Sequence, residues 1–139
     1  MVESHGVNGG PLNGMRVIEL AHVMAGPVCG LMLADMGADV IKVENINGGD
    51  DTRRMVPPEI NGESAAFMMM NRNKRGIALD LKHDKGKDVF LTMINDADVV
   101  IENYRHDTMA KLGIGYETLK EINPGLIYCE ISGLSLIHI

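Results

Sequence analysis

The chain has 139 residues, 45% of them hydrophobic and 23% charged, which fits one globular domain with a core of its own. Its formal net charge is −6, from 13 basic and 19 acidic residues, whereas a general nucleic-acid binder usually has the opposite balance. No apolar run reaches the roughly 18 residues that a membrane span needs, and the first ten residues do not resemble a signal peptide. We therefore expect a cytoplasmic protein that binds neither nucleic acid nor membrane, with residues 1–10 as a flexible leader.

Short apolar runs rich in β-formers alternate with segments of helical periodicity. The runs predict five buried strands, at residues 15–20, 38–44, 76–81, 97–103 and 125–132. Helices are predicted between them, at residues 27–36, 64–71, 84–95, 107–113 and 116–123. Pro27 suits the first position of a helix, Ser64 and Asp84 are expected caps, and Gly37 is an expected C-cap. The β–α–β order predicts parallel strands, and the alternation predicts an α/β fold with helices on both faces of the sheet.

The two cysteines, Cys29 and Cys129, are far apart in the sequence and lack any metal-binding spacing. We expect them to be free thiols in a reducing compartment. Three consecutive methionines, Met68 to Met70, have no flanking His or Cys and are expected to fill the core rather than bind a soft metal. The sequence therefore predicts no metal site.

Ligands of an open parallel sheet bind beyond the carboxyl ends of its strands. His22 follows the first predicted strand, a long polar loop that includes Asp51, Arg53 and Arg54 follows the second, and Arg105 follows the fourth. A further cluster of positive charge, "NRNKR" at residues 71–75, lies at the amino end of the third strand. These cations at the rim of a sheet indicate an anionic ligand.

Each of these features also has a purely structural interpretation. His22 would then be a hydrogen-bonded structural histidine, Lys74 and Arg75 would cover a sheet edge, and Asp51 and Arg53 would form a solvated ion pair. The first turn lacks GxGxxG, so NAD is not supported, and there is no HExxH, Ser-His-Asp or paired-carboxylate pattern. The residues alone indicate an α/β domain with an anion-prone rim.

Taken together, several stretches resemble the N-terminal part of the class III (CaiB/BaiF-type) CoA-transferase family, which also contains the α-methylacyl-CoA racemases. The matching words are "PLNGMRVIELAHVMAGPVCGLMLADMGADVIKVE", "GGDDTR", "NRNKRGIALDLK", "ADVVIENYR", "KLGIGYETL" and "NPGLIYCEISG", which span residues 11–133. The resemblance implies a Rossmann-like large domain, incomplete at its C-terminus, in a protein that forms an interlocked homodimer. It also implies coenzyme A or acyl-CoA as a substrate and no tightly bound cofactor.

The resemblance also implies which residues bind coenzyme A, whose diphosphate and ribose phosphate would meet the cations. Lys111 stands where relatives often carry an arginine, and lysine cannot grip a phosphate bidentately. The implied coenzyme A ligands are His22, Val23, Met24, Ala25, Asn71, Asn73, Lys74, Arg75, Asn103, Tyr104, Arg105 and Lys111.

In the transferases of this family an aspartate attacks the acyl-CoA thioester and carries the acyl group as a mixed anhydride before the carboxylic acid acceptor receives CoA. The racemases instead use an acid/base pair that removes and replaces the α-proton. In both branches these residues lie downstream of Gly133, so no catalytic residue is expected here and neither Asp50 nor Asp51 is a nucleophile. The alternatives to a transferase fragment are a racemase fragment and a non-catalytic module that binds CoA or a nucleotide.

The last six residues, Leu134 to Ile139, depart from the resemblance. The string "LSLIHI" is what CTG TCT CTT ATA CAC ATC encodes, and this DNA matches a transposase adapter used in sequencing libraries. We interpret residues 134–139 as a non-native tail after residues 11–133, with natural truncation as the alternative. Expressed alone, such a fragment is expected to aggregate or to bind CoA weakly, and to lack turnover.

Overall fold

The computed structural model describes residues 9–133, whose centre is a five-stranded parallel sheet. Its strands are β1 (Arg16–Glu19), β2 (Asp39–Glu44), β5 (Arg75–Ala78), β6 (Val99–Glu102) and β7 (Ile127–Glu130). The three central strands β1, β2 and β6 are largely buried, as parallel strands covered on both faces require. The two outer strands β5 and β7 are mostly exposed or half-buried, so the prediction of five buried strands is wrong for these two. A separate two-stranded hairpin consists of β3 (Glu59–Ile60) and β4 (Glu63–Ser64).

The strand order in the sheet is β5-β2-β1-β6-β7. The chain first builds outward from β1 to β2 and β5, and then returns to the other side of β1 to add β6 and β7. All four neighbouring pairs are parallel. The order therefore reverses between β1 and β6, and ligands of open α/β sheets bind in the crevice outside the strand ends at such a point.

Helices cover both faces of this sheet, so the predicted α/β class is confirmed. They are α1 (Ala25–Asp35), α2 (Ala65–Asn71), α3 (Asp84–Ile94), α4 (Thr108–Lys111) and α5 (Tyr116–Ile122), with a short 3₁₀ helix at Asp51–Arg54. Successive residues of β1 point to opposite faces. Val17 packs with Ala34 of α1, while Ile18 packs with Phe90 of α3 and Leu119 of α5. None of the helices described here is long and apolar enough to cross a membrane.

Helix α1 lies unusually close to the end of β1 because its buried side carries small residues. Gly26, Gly30 and Ala34 recur at the four-residue spacing that places them on one side of the helix. A Cβ at Gly30 would lie 1.8 Å from Oε2 of Glu19. The absence of a side chain there lets the helix pass directly over a buried carboxylate.

Several details differ from the sequence predictions. Helix α1 begins at Ala25, two residues before Pro27. Helix α3 is capped by His83, whose side chain accepts a hydrogen bond from the amide of Lys85, so Asp84 is its first residue rather than its cap. The predicted cap Ser64 is confirmed, since its hydroxyl accepts the amide of Phe67 at 3.4 Å.

Core filling by the three methionines holds only for Met70, because Met68 and Met69 are exposed. Cys29 and Cys129 are free and half-buried, and burial raises the pKa of the Cys29 thiol. Residues 1–8 of the predicted leader and the whole predicted tail, residues 134–139, lie outside the described residues. The described part of the leader includes Gly10, which packs against the backbone of Met36.

Candidate functional site

A cavity of about 790 Å³ opens beyond the carboxyl ends of four of the parallel strands. Its volume is within the range of small-molecule sites, which is about 300–1,000 Å³. Its walls come from the segments that follow β1, β2, β5 and β6, where the topology predicts a ligand. The lining residues are His22, Val23, Met24, Ala25, Val43, Glu44, Asn45, Asn47, Gly49, Asp51, Arg54, Leu79, Asp80, Leu81, Lys82, Asn103, Tyr104, Arg105, Thr108 and Leu112.

The loop after β1 is tied to the loop after β6 by a reciprocal pair of hydrogen bonds. The amide of His22 donates to Oδ1 of Asn103 at 2.8 Å, and Nδ2 of Asn103 donates to the carbonyl oxygen of His22 at 2.9 Å. These bonds fix the positions of two cavity walls relative to each other.

The ring of His22 also contacts the second wall. Its Nε2 lies 3.3 Å from the hydroxyl of Tyr104. Burial lowers the pKa of His22, although Asp50 opposes this shift, and burial together with Glu102 raises the pKa of Tyr104 to about 12. Both side chains are therefore neutral near pH 7, and the histidine is hydrogen-bonded as the structural interpretation of His22 proposed.

A network of buried charges lies beneath the cavity. Nζ of Lys42, a side chain that is only 2% exposed, lies 2.9 Å from Glu19 and 2.9 Å from Asp50 and donates to the carbonyl oxygen of Ala21 at 2.7 Å. Burial alone would raise the pKa of Asp50, but hydrogen bonds from Thr52 and Lys42 outweigh it and lower the pKa to about 2. This aspartate is therefore a fixed negative charge inside the fold.

The polar loop after β2 is anchored by a second ion pair. Nε and Nη2 of Arg53 each donate to Glu44 at 2.7 Å, a bidentate pair, and the guanidinium lies 3.6 Å from the centre of the Phe67 ring. The expected pair of Asp51 with Arg53 is wrong, because Asp51 pairs instead with Arg54.

The "NRNKR" cations are held by carboxylates of the protein itself. Nζ of Lys74, a side chain 2% exposed, lies 2.7 Å from Glu19 and donates to the carbonyl oxygen of Pro27 at 2.7 Å; burial lowers its pKa, which Glu19 opposes. Arg75 begins β5 and is bound bidentately by Asp39. The cavity wall starts at Leu79, four residues or about 13 Å further along an extended chain.

Other members of the same segment also contact the protein. Nδ2 of Asn71 donates to the carbonyl oxygen of Phe67, and its Oδ1 accepts from Lys74. Asn73 has a positive φ of 62° and donates to Asp35. As coenzyme A ligands these residues stay a prediction, and they do not line the cavity.

Two cations face the cavity and have no carboxylate partner among the residues that the structure describes. Within residues 9–133, Lys82 and Arg105 line the cavity and their side chains form neither an ion pair nor a hydrogen bond. Lys111 is also unpaired there and precedes the lining residue Leu112, but does not itself line the cavity. Helix α1 begins at the same cavity, and no side chain of the described residues caps its first turn. An uncapped helix N-terminus and free cations together form an environment that favours an anion.

Seven of the predicted ligands are thus brought together by the cavity: His22, Val23, Met24, Ala25, Asn103, Tyr104 and Arg105. The sequence interpretation missed Lys82, together with Leu79, Thr108 and Leu112 as wall residues. The signal for Lys82 was its position directly after the third strand, the same criterion that identified Arg105. Among the residues that the structure describes, no group of three or more His, Cys, Asp or Glu side chains is arranged to hold a metal ion.

The fold and the cavity define a parallel α/β domain with a cavity at its topological switch point, lined in part by the cations Lys82 and Arg105. The sequence model of CoA-transferase family III matches residues 12–135, and the chain belongs to that family. It is 54% identical to the succinate–glutarate CoA-transferase of Agrobacterium fabrum over 88% of this chain and 32% of the relative. It is 48% identical to the succinyl-CoA:mesaconate CoA-transferase of Haloarcula hispanica over 89% of this chain and 32% of the relative.

A crystal structure of a CaiB/BaiF family protein from Brucella suis superimposes with a TM-score of 0.85 at 46% identity. The match covers 90% of this chain and 34% of that protein. The chain therefore spans about a third of the length of the relatives that it matches.

Proposed function

We propose that this chain is the N-terminal, coenzyme A-binding part of a CoA-transferase that moves CoA between an acyl-CoA and a carboxylic acid. The observation that carries the proposal is the cavity at the strand ends. Within the described part of the chain, two of its cations have no partner and no side chain caps the helix that begins there. Family membership restricts the anionic ligand to an acyl-CoA. The interlocked homodimer and the cytoplasmic location stay predictions.

Coenzyme A needs both cations and apolar surface. Its diphosphate and ribose phosphate carry several negative charges, and Arg105 can bind a phosphate bidentately while Lys82 acts as a point charge. Leu79 and Leu112 supply apolar wall for the adenine or the pantetheine. We assign the phosphates to Lys82 and Arg105, since Lys74 and Arg75 would first have to leave Glu19 and Asp39.

The chemistry of the proposed transferase belongs to residues beyond Gly133. There an aspartate would attack the acyl-CoA thioester, break its C–S bond and hold the acyl group as a mixed anhydride, while the present residues hold the CoA thiolate that leaves. Dicarboxylic acids are the first acceptors to test, because the names of two relatives give succinate with glutarate and succinyl-CoA with mesaconate.

The test uses the full-length protein that carries this sequence. Calorimetry is expected to show binding of CoA and no comparable binding of ATP or NAD, which lack the pantetheine arm. Incubation with succinyl-CoA and glutarate is expected to yield glutaryl-CoA and succinate. Binding of all three nucleotides alike, without turnover, would support the non-catalytic module. Deuterium uptake at the α-carbon of a 2-methylacyl-CoA, without transfer, would support the racemase.

A further inference from the structure

We propose that Lys42 and Asp50 are positioning residues, whose buried charges hold the loop after β1, residues 21–24, in the shape that the cavity requires. The inference rests on the proposed function, because the loop forms one wall of the proposed coenzyme A site. Neither side chain lines the cavity, so both would act through the loop backbone.

Side chains from three other segments hold consecutive backbone groups of this loop. Lys42 of β2 donates to the carbonyl oxygen of Ala21 at 2.7 Å. Asn103, after β6, binds both the amide and the carbonyl of His22. Asp50, in the loop after β2, accepts the amide of Val23 at 3.2 and 3.3 Å. Since Lys42 and Asp50 also pair with each other, their two contacts form one unit.

The loop needs this support because its backbone is in an unfavourable conformation. Val23 has a φ of 66°, in the left-handed region that β-branched residues rarely enter. Such a residue keeps its conformation only where its surroundings enforce it. The bond from the Val23 amide to Asp50 is such a constraint, and Met24 and Ala25, which follow at once, line the cavity and begin α1.

A carboxylate is required at position 50, and an amide of the same shape is not equivalent. The Asp50 side chain is fully buried and accepts from the amides of Val23 and Thr52, from the Thr52 hydroxyl and from Lys42. Asparagine offers one acceptor oxygen and two donor hydrogens. Asp50→Asn would turn a donor toward at least one of these groups and leave Lys42 with less compensating charge.

The experiment compares the full-length protein with its Asp50→Asn variant by hydrogen exchange and by CoA affinity. We expect faster exchange in a peptide that covers residues 20–26 and unchanged exchange in β7. If the competent loop is populated a tenth of the time, the Kd for CoA rises about 10-fold. The control, Asn123→Ala, removes hydrogen bonds to the carbonyls of Ile94 and Ala97 before β6. It is expected to lower the stability of the fold without weakening the affinity for CoA.

A second variant separates positioning from general stability. Glycine adopts a positive φ without strain, so Asp50→Asn combined with Val23→Gly is expected to recover part of the lost stability, even if Asp50→Asn alone does not fold. Unchanged exchange at residues 20–26, or an equal loss of CoA affinity in Asn123→Ala, would overturn the inference. A wild-type protein that binds no CoA would refute the proposed function instead, and the exchange rates would still decide the role of Asp50.

Discussion

Lys42 joins the buried charges under the cavity, and Lys42→Met tests how much the network depends on it. The ammonium lies within 2.9 Å of two carboxylates and bonds one carbonyl oxygen. Methionine keeps most of the volume but removes the charge and all three contacts. Breaking a buried ion pair by removing one partner typically costs about 3–5 kcal/mol.

The geometry places the expected loss at the lower end of that range. Lys74, whose Nζ lies 2.7 Å from Glu19 in the wild-type structure, is expected to keep that contact, so Asp50 alone becomes a buried carboxylate without a cation. We expect the free energy of unfolding at pH 7.5 to fall by about 3 kcal/mol. With a urea m-value of about 1–3 kcal/mol per molar, the midpoint falls by roughly 1–3 M.

The pH dependence of this loss identifies its cause. Without Lys42 the pKa of Asp50 should rise, so the carboxyl of the variant becomes protonated in mild acid and its cost decreases. Urea unfolding followed by circular dichroism should therefore show a smaller deficit at pH 4.5 than at pH 7.5. Lys120→Met, which removes an exposed pair with Glu117, should change stability by less than about 0.5 kcal/mol. A deficit below about 1 kcal/mol at pH 7.5, or one equal at both pH values, would refute the reasoning.

Three further predictions follow from single contacts. Gly30→Ala should destabilise the fold strongly, because a Cβ at Gly30 meets Oε2 of Glu19 at 1.8 Å. Gly133→Ala is the control, because a Cβ at Gly133 meets nothing within 4 Å and its backbone is not in the positive-φ region; a thermal melt that ranks the two variants alike contradicts this. The depressed pKa of Asp50, about 2 against 3.8, contributes about 2 kcal/mol that is present above pH 3.8 and lost as the pH falls toward 2. In the Asp50→Asn variant the free energy of unfolding should therefore depend less on pH in this acidic range. An unchanged dependence on pH would exclude Asp50 as its source. Ser64→Ala should cost about 1 kcal/mol through loss of the α2 cap, and an unchanged urea midpoint would contradict it.

The five strands of the parallel sheet and their order of appearance could be predicted from the sequence because each is a short apolar run between turn signals. The hairpin of β3 and β4 was missed, because its strands have only two residues each and lie in a polar, turn-rich segment. The cap at Ser64 could also be predicted, because a helix cap depends only on a residue and the helical segment that directly follows it. Boundaries were less predictable: α1 begins at Ala25, because the end of β1 and the loop at residues 21–24, rather than Pro27, determine where the helix starts.

The partners of the basic residues could not be predicted, because they come from distant parts of the chain. Lys74 is paired with Glu19, 55 positions earlier, and the pairing exists only because Gly30 leaves space between α1 and β1. The local cluster of cations did not indicate that its partners are carboxylates of the protein itself, and the anionic ligand that it predicted stays a prediction. Lys82, a single lysine after a strand, carried a weaker local signal although it faces the cavity.

The affinity of coenzyme A for the variant Lys82→Gln/Arg105→Gln of the full-length protein tests the central claim most directly. Each charged hydrogen bond contributes about 1.5–3 kcal/mol, so calorimetry at fixed salt should show a Kd at least about 100-fold weaker than that of the wild type. The control is Arg75→Gln, which removes an exposed cation that is bound by Asp39 and does not line the cavity. Its Kd should stay within about twofold of the wild-type value, a smaller change than the loss of one charged hydrogen bond would cause. An unchanged Kd in the double variant, or an equal loss in Arg75→Gln, would contradict the assignment of the phosphates to this cavity.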